Sequence, residues 1–237
     1  MKPRPDPKKI QEAYYAATAN AYNSSHLGTE DEHAVALYFL LGMLPMLNVN
    51  SILDVGSGTG RALLKLKAAQ PSLQVMGIEP VEQLRTIGIN NGLTSGELIS
   101  GDATQLQFAN NSFDLVCEFG VLHHVQKPDV VIAEMLRVAR KAIFISDSNN
   151  FGQGGTLARY AKQAIHGLGL WPMFNLMKTR GKGYTITKGD GLAYSYSVFD
   201  NYKQIKAACK KVYLFNTQGA GASPYHEWGH IALLGVL

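Results

Sequence analysis

Two cysteines in 237 residues are too few for the disulfide frameworks of small secreted domains or for a cysteine-ligated metal site. One of them, Cys117, falls inside a run that reads as a buried strand. No stretch of about 18 apolar residues is present to span a bilayer, and the opening Met1-Lys2-Pro3-Arg4-Pro5-Asp6-Pro7-Lys8-Lys9 lacks the apolar centre of a signal peptide. These absences predict a soluble, cytoplasmic chain. Internal repeats and long low-complexity tracts are missing too. With 46% hydrophobic and only 17% charged residues, the chain can bury one sizeable core and fits a single α/β domain.

The most informative segment is Ile52-Leu53-Asp54-Val55-Gly56-Ser57-Gly58-Thr59-Gly60. An apolar run that reads as a parallel strand passes through three alternating glycines into Arg61-Ala62-Leu63-Leu64-Lys65-Leu66, which has helical periodicity. Glycines let the backbone turn with positive φ and approach a ligand closely, and the helix that follows offers free N–H groups to a polar one. Val75-Met76-Gly77-Ile78 then ends in Glu79, nineteen residues past Gly60, where a carboxylate can accept from both hydroxyls of a ribose. Leu98-Ile99-Ser100 runs into Gly101-Asp102-Ala103, whose carboxylate can accept from an exocyclic amine. A fourth strand, Phe113-Asp114-Leu115-Val116-Cys117, leads to Glu118-Phe119-Gly120-Val121-Leu122-His123-His124-Val125.

The stretches ILDVGSGTGR, VMGIEP, GDATQLQFANNSFDLVCEFGVLHHV and EMLRVARKAIFI, spanning about residues 50 to 146, resemble the class I S-adenosylmethionine-dependent methyltransferases, in their type 11 small-molecule branch. The resemblance implies a Rossmann-like, seven-stranded, mostly parallel sheet with helices on both faces and an antiparallel last strand. It also implies S-adenosylmethionine as cofactor. Gly56, Ser57, Gly58 and Gly60 would wrap its methionyl part, with Asp54 orienting it through the loop. Glu79 and Pro80 would meet the ribose, Asp102 and Ala103 the adenine, and the Glu118–Phe119 backbone the methionyl amino group. Tyr22, in the N-terminal segment, is the expected contact to the methionyl carboxylate. A nicotinamide dinucleotide is the rival cofactor, but its fingerprint spaces glycines as G-x-G-x-x-G, whereas here they alternate.

Helical periodicity over 8–22 and 31–46 predicts an N-terminal helical cap (1–47), followed by a cofactor-binding half (48–147). Two late strands, 212–215 and 230–236, follow a helix near 199–210 and complete the C-terminal part (199–237). Between the halves lies 148–198, longer than ordinary connections and read as a lid that forms the acceptor pocket. Its 157–165 portion is an amphipathic helix; 167–174 is apolar but broken by glycine and proline. From 151 to 211 ten basic residues face two acidic ones, so the whole net charge of +4 originates there. A basic rim beside an apolar segment suits an anionic or amphiphilic small-molecule acceptor, or peripheral contact with a membrane surface. Nucleic acid fits poorly: the residues after the fourth strand lack the Asn/Asp-Pro-Pro-aromatic pattern of enzymes that methylate DNA amines, and no aromatic-basic RNA signature appears.

Methyl transfer from a sulfonium is an in-line displacement with an activated leaving group, so the protein mainly aligns the reactants and, for a hydroxyl acceptor, supplies a base. His123 and His124, at the carboxyl end of the fourth strand, are the first candidates, and His226 before the last strand is a third. A metal-assisted variant through Glu118, Asp147 and Asn149 is set aside, because hard-cation sites show a denser oxygen cluster. The expected activity is methyl transfer to an oxygen of a small or medium-sized acceptor. A non-catalytic cofactor-binding partner subunit and a nicotinamide-dependent oxidoreductase are the alternatives.

Overall fold

The computed structural model describes residues 5–26, 31–219 and 221–237, with the side chains of 21–26 outside the description. Two helices precede the sheet, α1 (Pro7–His26) and α2 (Glu32–Leu47). Helix α2 starts where the Asp31 carboxylate accepts the Ala34 N–H at 2.8 Å, satisfying one of the free donors of the first turn. It ends at Asn48, which takes a left-handed conformation as asparagine tolerates. Its buried Leu37, Leu40 and Leu44 repeat at helical spacing and seat it on the sheet.

Strands and helices then alternate: β1 (Ser51–Val55), α3 (Arg61–Ala69), β2 (Gln74–Ile78), α4 (Glu82–Asn90), β3 (Leu98–Ile99), β4 (Phe113–Phe119), α5 (Pro128–Val138) and β5 (Ala139–Ser148). After an excursion come α8 (Tyr202–Ala208), β8 (Lys211–Asn216), the short α9 (Pro224–Glu227) and β9 (His230–Val236). The seven sheet strands lie in the order β3-β2-β1-β4-β5-β9-β8. Pairs among β1 to β5 are parallel, and β9 runs antiparallel to both β5 and β8. Apolar side chains cover both faces. Leu40, Leu63, Leu66 and Phe144 lie on one side, and Val131, Ile132, Met135 and Ile205 on the other. That two-sided burial explains why β1, β4 and β9 read as continuous apolar runs rather than alternating ones.

The order of strands reverses between β1 and β4, and in open α/β sheets ligands bind in the crevice at the carboxyl ends of such neighbours. The excursion after β5 builds a wall beside that crevice from α6 (Thr156–Gly167), α7 (Trp171–Lys178) and an antiparallel hairpin of β6 (Tyr184–Thr187) and β7 (Gly191–Tyr194). The apolar segment expected to be broken at 167–174 is in fact where α7 begins. Pro172 sits in its first turn, where a missing N–H costs nothing. The hairpin was not anticipated from the sequence. It leans on α1: the Tyr14 hydroxyl donates to Lys188 O at 2.6 Å, and Gln11 Oε1 accepts the Leu192 N–H at 2.5 Å.

Candidate active site

A cavity of about 500 Å³ opens at the carboxyl ends of β1, β2, β3 and β4, floored by Gly56, Glu79, Pro80, Asp102, Ala103 and Phe119 and roofed by α1 through Lys8, Gln11 and Tyr15. Its size is that of a small-molecule site. Gly56 has φ +74 and lies so close to Val121 that an added Cβ would overlap the Val121 Cγ2, so this wall of the cavity is available only to glycine. Glu79 is buried, with Oε2 accepting the Gly58 N–H at 3.0 Å and Oε1 the Val81 N–H at 2.9 Å. Burial pushes its carboxyl up to about 7, against the pull of those two amides. Each oxygen keeps lone-pair capacity for a further donor. Asp102 is tied by its Oδ1 to the Thr104 N–H and hydroxyl, and by its Oδ2 to Lys8 Nζ at 2.6 Å.

The other expected cofactor residues stand behind this surface. Asp54 is buried under the glycine loop, where burial raises its carboxyl to about 7. With Ser57 it faces a small polar cavity of about 30 Å³, which also meets His33, Thr59, Arg61 and Phe119. Gly58 and Gly60 line neither cavity; they shape the loop with φ +55 and +73. The Glu118 side chain is spent internally, accepting the Val121 N–H at 2.8 Å and the Ser146 N–H at 3.0 Å. The Tyr22 side chain lies outside the described residues, so its expected contact has no geometry here.

Two of the three expected histidines come together; the third does not. A 3₁₀ turn at Leu122–His124 follows β4. Within it, His123 Nδ1 meets Asp147 Oδ1 at 2.7 Å, and its Nε2 lies 3.3 Å from Asp190 Oδ2. Burial alone would strip the proton from this ring. The Asp147 and Asp190 carboxylates outweigh that and hold its pKa well above the ordinary value. His124 Nδ1 donates to Leu192 O at 2.6 Å, and the Tyr15 hydroxyl reaches its Nε2 at 3.0 Å. Burial, and then the neighbouring His123 charge, lower the His124 pKa. His226 is a correction to the expected set: it is exposed on α9, paired with Gln163 Oε1 at 2.7 Å, and lines none of the cavities at the sheet's carboxyl edge. The set-aside oxygen cluster is not assembled either, because the Asn149 amide is consumed by Tyr225 O, Trp228 O and the Ser197 hydroxyl.

A second cavity of about 360 Å³ adjoins the first and is walled largely by the 148–196 excursion, including Trp171, Asn175, Lys178, Tyr184 and Ser195, with His123 and Asp190 at its inner end. Tyr194 lines both cavities, and its hydroxyl is buried without a hydrogen-bond partner. Several residues at this edge were invisible to sequence reasoning. His33 sits in the apolar stripe of α2 and meets the Ser146 hydroxyl at 2.8 Å; burial drops its pKa to about 3. Lys8, Gln11, Asp190 and Tyr194 reach the site from distant segments with no local motif to announce them.

Comparison with known proteins agrees with this architecture. Residues 53–145 match the family described as methyltransferase domain. Over 128 residues the chain is 30% identical to a phosphatidylethanolamine N-methyltransferase of Cereibacter sphaeroides, an alignment covering 47% of this chain and 56% of that one. It is 27% identical over 139 residues to a ubiquinone/menaquinone biosynthesis C-methyltransferase of Pseudomonas entomophila, covering 56% and 54%. The chain thus spans about half the length of the curated relatives it matches. The fold superposes on the magnesium protoporphyrin IX methyltransferase of Synechocystis PCC 6803, solved with S-adenosylhomocysteine, at a TM-score of 0.60 and 16% identity, covering 98% of this chain and 99% of that one. Residues 53–145 thus match a methyltransferase domain, and the chain has the fold of that S-adenosylhomocysteine-bound neighbour. The glycine cradle, the Glu79 carboxylate and the 500 Å³ cavity would fit the polar, ribose-bearing body of S-adenosylmethionine.

Proposed function

We propose that this protein transfers the methyl group of S-adenosylmethionine to an oxygen of a small or medium-sized amphiphilic acceptor held in the lid cavity. The observation that carries the reading is that Tyr194 lines both cavities, with His124 lining the first and His123 and Asp190 the second. The cofactor, when bound, supplies a methyl group already activated for displacement. Glu79 accepts from the ribose hydroxyls, and Asp102 and Ala103 hold the adenine edge. The Gly56–Gly60 loop and Arg61 receive the methionyl end beside the small polar cavity. Phe119 lies between the two sites, since it lines both the large and the small cavity. His123, His124 and Asp190 meet the acceptor's nucleophile and its proton. Alignment at this junction supplies most of the acceleration, because a well-oriented pair of reactants needs little further help.

The lid supports an amphiphilic acceptor. Leu157, Tyr160, Leu168, Met173, Leu176 and Met177 are all exposed on α6, α7 and the turn between them, Leu157 to 87%. Residues 148–189 contain six cations, Arg159, Lys162, Lys178, Arg180, Lys182 and Lys188, and no carboxylate. An apolar face with a cationic rim suits the headgroup boundary of an anionic bilayer. Among the described residues no helix is long and apolar enough to cross one. The names of the two relatives above, a phospholipid and a quinone methyltransferase, point the same way. Of the three cations closest to the second cavity in sequence, only Lys178 lines it, so Arg180 and Lys182 belong to the surface rather than to the acceptor contact.

The test is transfer of labelled methyl from S-adenosylmethionine to amphiphilic hydroxyl, carboxyl and amine acceptors presented in vesicles. Product with an oxygen acceptor is expected, and it should rise when the vesicles carry anionic lipid. Tight S-adenosylhomocysteine binding with no transfer to any class would favour the non-catalytic partner reading. A thermal shift with NAD in place of the homocysteine product would favour the oxidoreductase.

A further inference from the structure

At the junction of the cavities, three side chains from two segments face one point. His123 and His124 come from the turn after β4, and Asp190 from the β6–β7 turn. One ring nitrogen from each histidine and a carboxylate oxygen all lie within 4.8 Å of one another. The contacts around the two rings orient their nitrogens, and Gln11 Nε2 also lies 3.1 Å from His124 Nδ1. His124 Nδ1 stands 2.6 Å from Leu192 O, and a carbonyl at that distance requires an N–H, so Nε2 of the neutral ring carries a lone pair. Asp190 Oδ1 stands 3.4 Å from that Nε2, which sets two acceptors against each other. His123 Nδ1 is turned to Asp147 Oδ1 at 2.7 Å, and its Nε2 faces Asp190 Oδ2 at 3.3 Å; that nitrogen carries a proton in the charged ring and would release it to an ion.

Charge-assisted hydrogen bonds draw in to about 2.7–2.9 Å, and neither Asp190 contact does so. Each distance matches one edge of a tetrahedral site, since two ligand atoms about 2.0–2.1 Å from one cation stand roughly 3.3–3.4 Å apart; the two contacts use different oxygens, Oδ2 toward His123 and Oδ1 toward His124, so either oxygen can serve as the ligand. The outer contacts are those that metal-binding histidines use: a carboxylate behind one ring and a backbone carbonyl behind the other, each fixing the tautomer that points Nε2 inward. Asp190 is held in place as well, because Gln11 Nε2 donates to its backbone O at 3.2 Å while Gln11 Oε1 accepts from Leu192 N.

We infer that His123 Nε2, His124 Nε2 and an Asp190 oxygen form a site for a divalent transition cation of the zinc type, with its fourth position open toward the lid cavity. Two imidazoles and one carboxylate are the donor set that such ions prefer over magnesium or calcium. The Tyr15 hydroxyl, 3.0 Å from His124 Nε2, would give up that contact to the ion. Because Asp190 lies in the lid and the histidines lie in the sheet, the ion also pins the hairpin over the junction. The site rests on side-chain geometry rather than on the methyl-transfer reading. If that reading also holds, the open position would take the acceptor oxygen and lower the pKa of its hydroxyl.

The experiment strips the full-length protein with a chelator, removes the chelator, and titrates with Zn²⁺ alone by calorimetry and with Co²⁺ by visible absorption. One ion per chain is expected, with the strong visible bands of a four-coordinate cobalt site and a raised melting temperature. Asp190→Asn, on a half-exposed turn, should weaken binding at least tenfold, and Asp147→Asn, behind His123, about 10- to 100-fold. S-adenosylhomocysteine binding, measured on the same samples, reports whether each variant is folded and whether the cofactor reading stands by itself. Absence of Zn²⁺ and Co²⁺ binding by the parent overturns the site. So does equal affinity in Asp190→Asn, which would place the ion elsewhere, and so does a weak, six-coordinate cobalt spectrum.

Discussion

Replacing Glu79 tests the cofactor site through two quantities that should move in opposite directions with pH. In Glu79→Ala the cavity loses the carboxylate that the Gly58 and Val81 amides hold at 3.0 and 2.9 Å. A hydrogen bond to a charged group is worth about 1.5–3 kcal/mol, so S-adenosylhomocysteine affinity should fall about 10- to 150-fold. The pH arm uses the carboxyl's position at about 7, raised by burial from an ordinary 4.5. Between those values the folded chain keeps a proton that the unfolded chain releases. Stability therefore falls as pH rises through that window, with buried Asp54, also raised to about 7, adding to the same slope. Cofactor binding has the opposite sign, because the ribose hydroxyls donate to the ionised form; affinity should climb toward pH 7 and level off above it. Calorimetry between about pH 5.5 and 8, alongside melting of the free protein, reads both slopes. Glu79→Gln cannot ionise and should abolish the pH dependence of binding while leaving the Asp54 part of the melting slope. If parent affinity is flat over that range, or Glu79→Ala binds as the parent does, Glu79 does not hold the cofactor.

Gly56→Ala should be poorly tolerated, since it adds a Cβ against Val121 at φ +74; a loss of about 1–3 kcal/mol in urea unfolding together with weakened S-adenosylhomocysteine binding would show it, and parent-like values would refute the cradle. His124→Ala should cut turnover by about 10²- to 10⁴-fold with little change in cofactor affinity, whereas His226→Ala should leave turnover alone; equal losses in both would contradict the geometry of the junction. Lys178→Gln should raise the KM for an anionic acceptor even without vesicles, because only this lid cation lines the second cavity. Arg180→Gln with Lys182→Gln should instead weaken sedimentation with anionic vesicles and leave the KM in free solution unchanged. High salt should mimic that double variant, as exposed charges are screened within about 10 Å at 0.1 M, and salt-independent vesicle binding would leave the apolar face acting alone.

The sequence by itself determined the sheet and the floor of the cofactor cavity. Ile52 to Gly60, Ile78 to Glu79 and Ile99 to Ala103 each carry a strand, its turn and a polar side chain in consecutive residues. Backbone sterics and hydrophobic burial act over that same short range, so the order of these segments placed Gly56, Glu79 and Asp102 around one cavity. Tertiary structure alone decided what closes the site. Lys8 reaches Asp102, His33 reaches Ser146 and Asp190 reaches the paired histidines across 94, 113 and 66 to 67 positions of chain, and no periodicity encodes such pairings. His226 was a candidate for its place in the glycine-rich connection before the last strand, yet the docking of α9 on α6 turned it to solvent. Local charge marks the 148–198 excursion as basic. Which cation faces the cavity depended on α7, which packs on α6, and on the β6–β7 hairpin, which α1 holds through Tyr14 and Gln11.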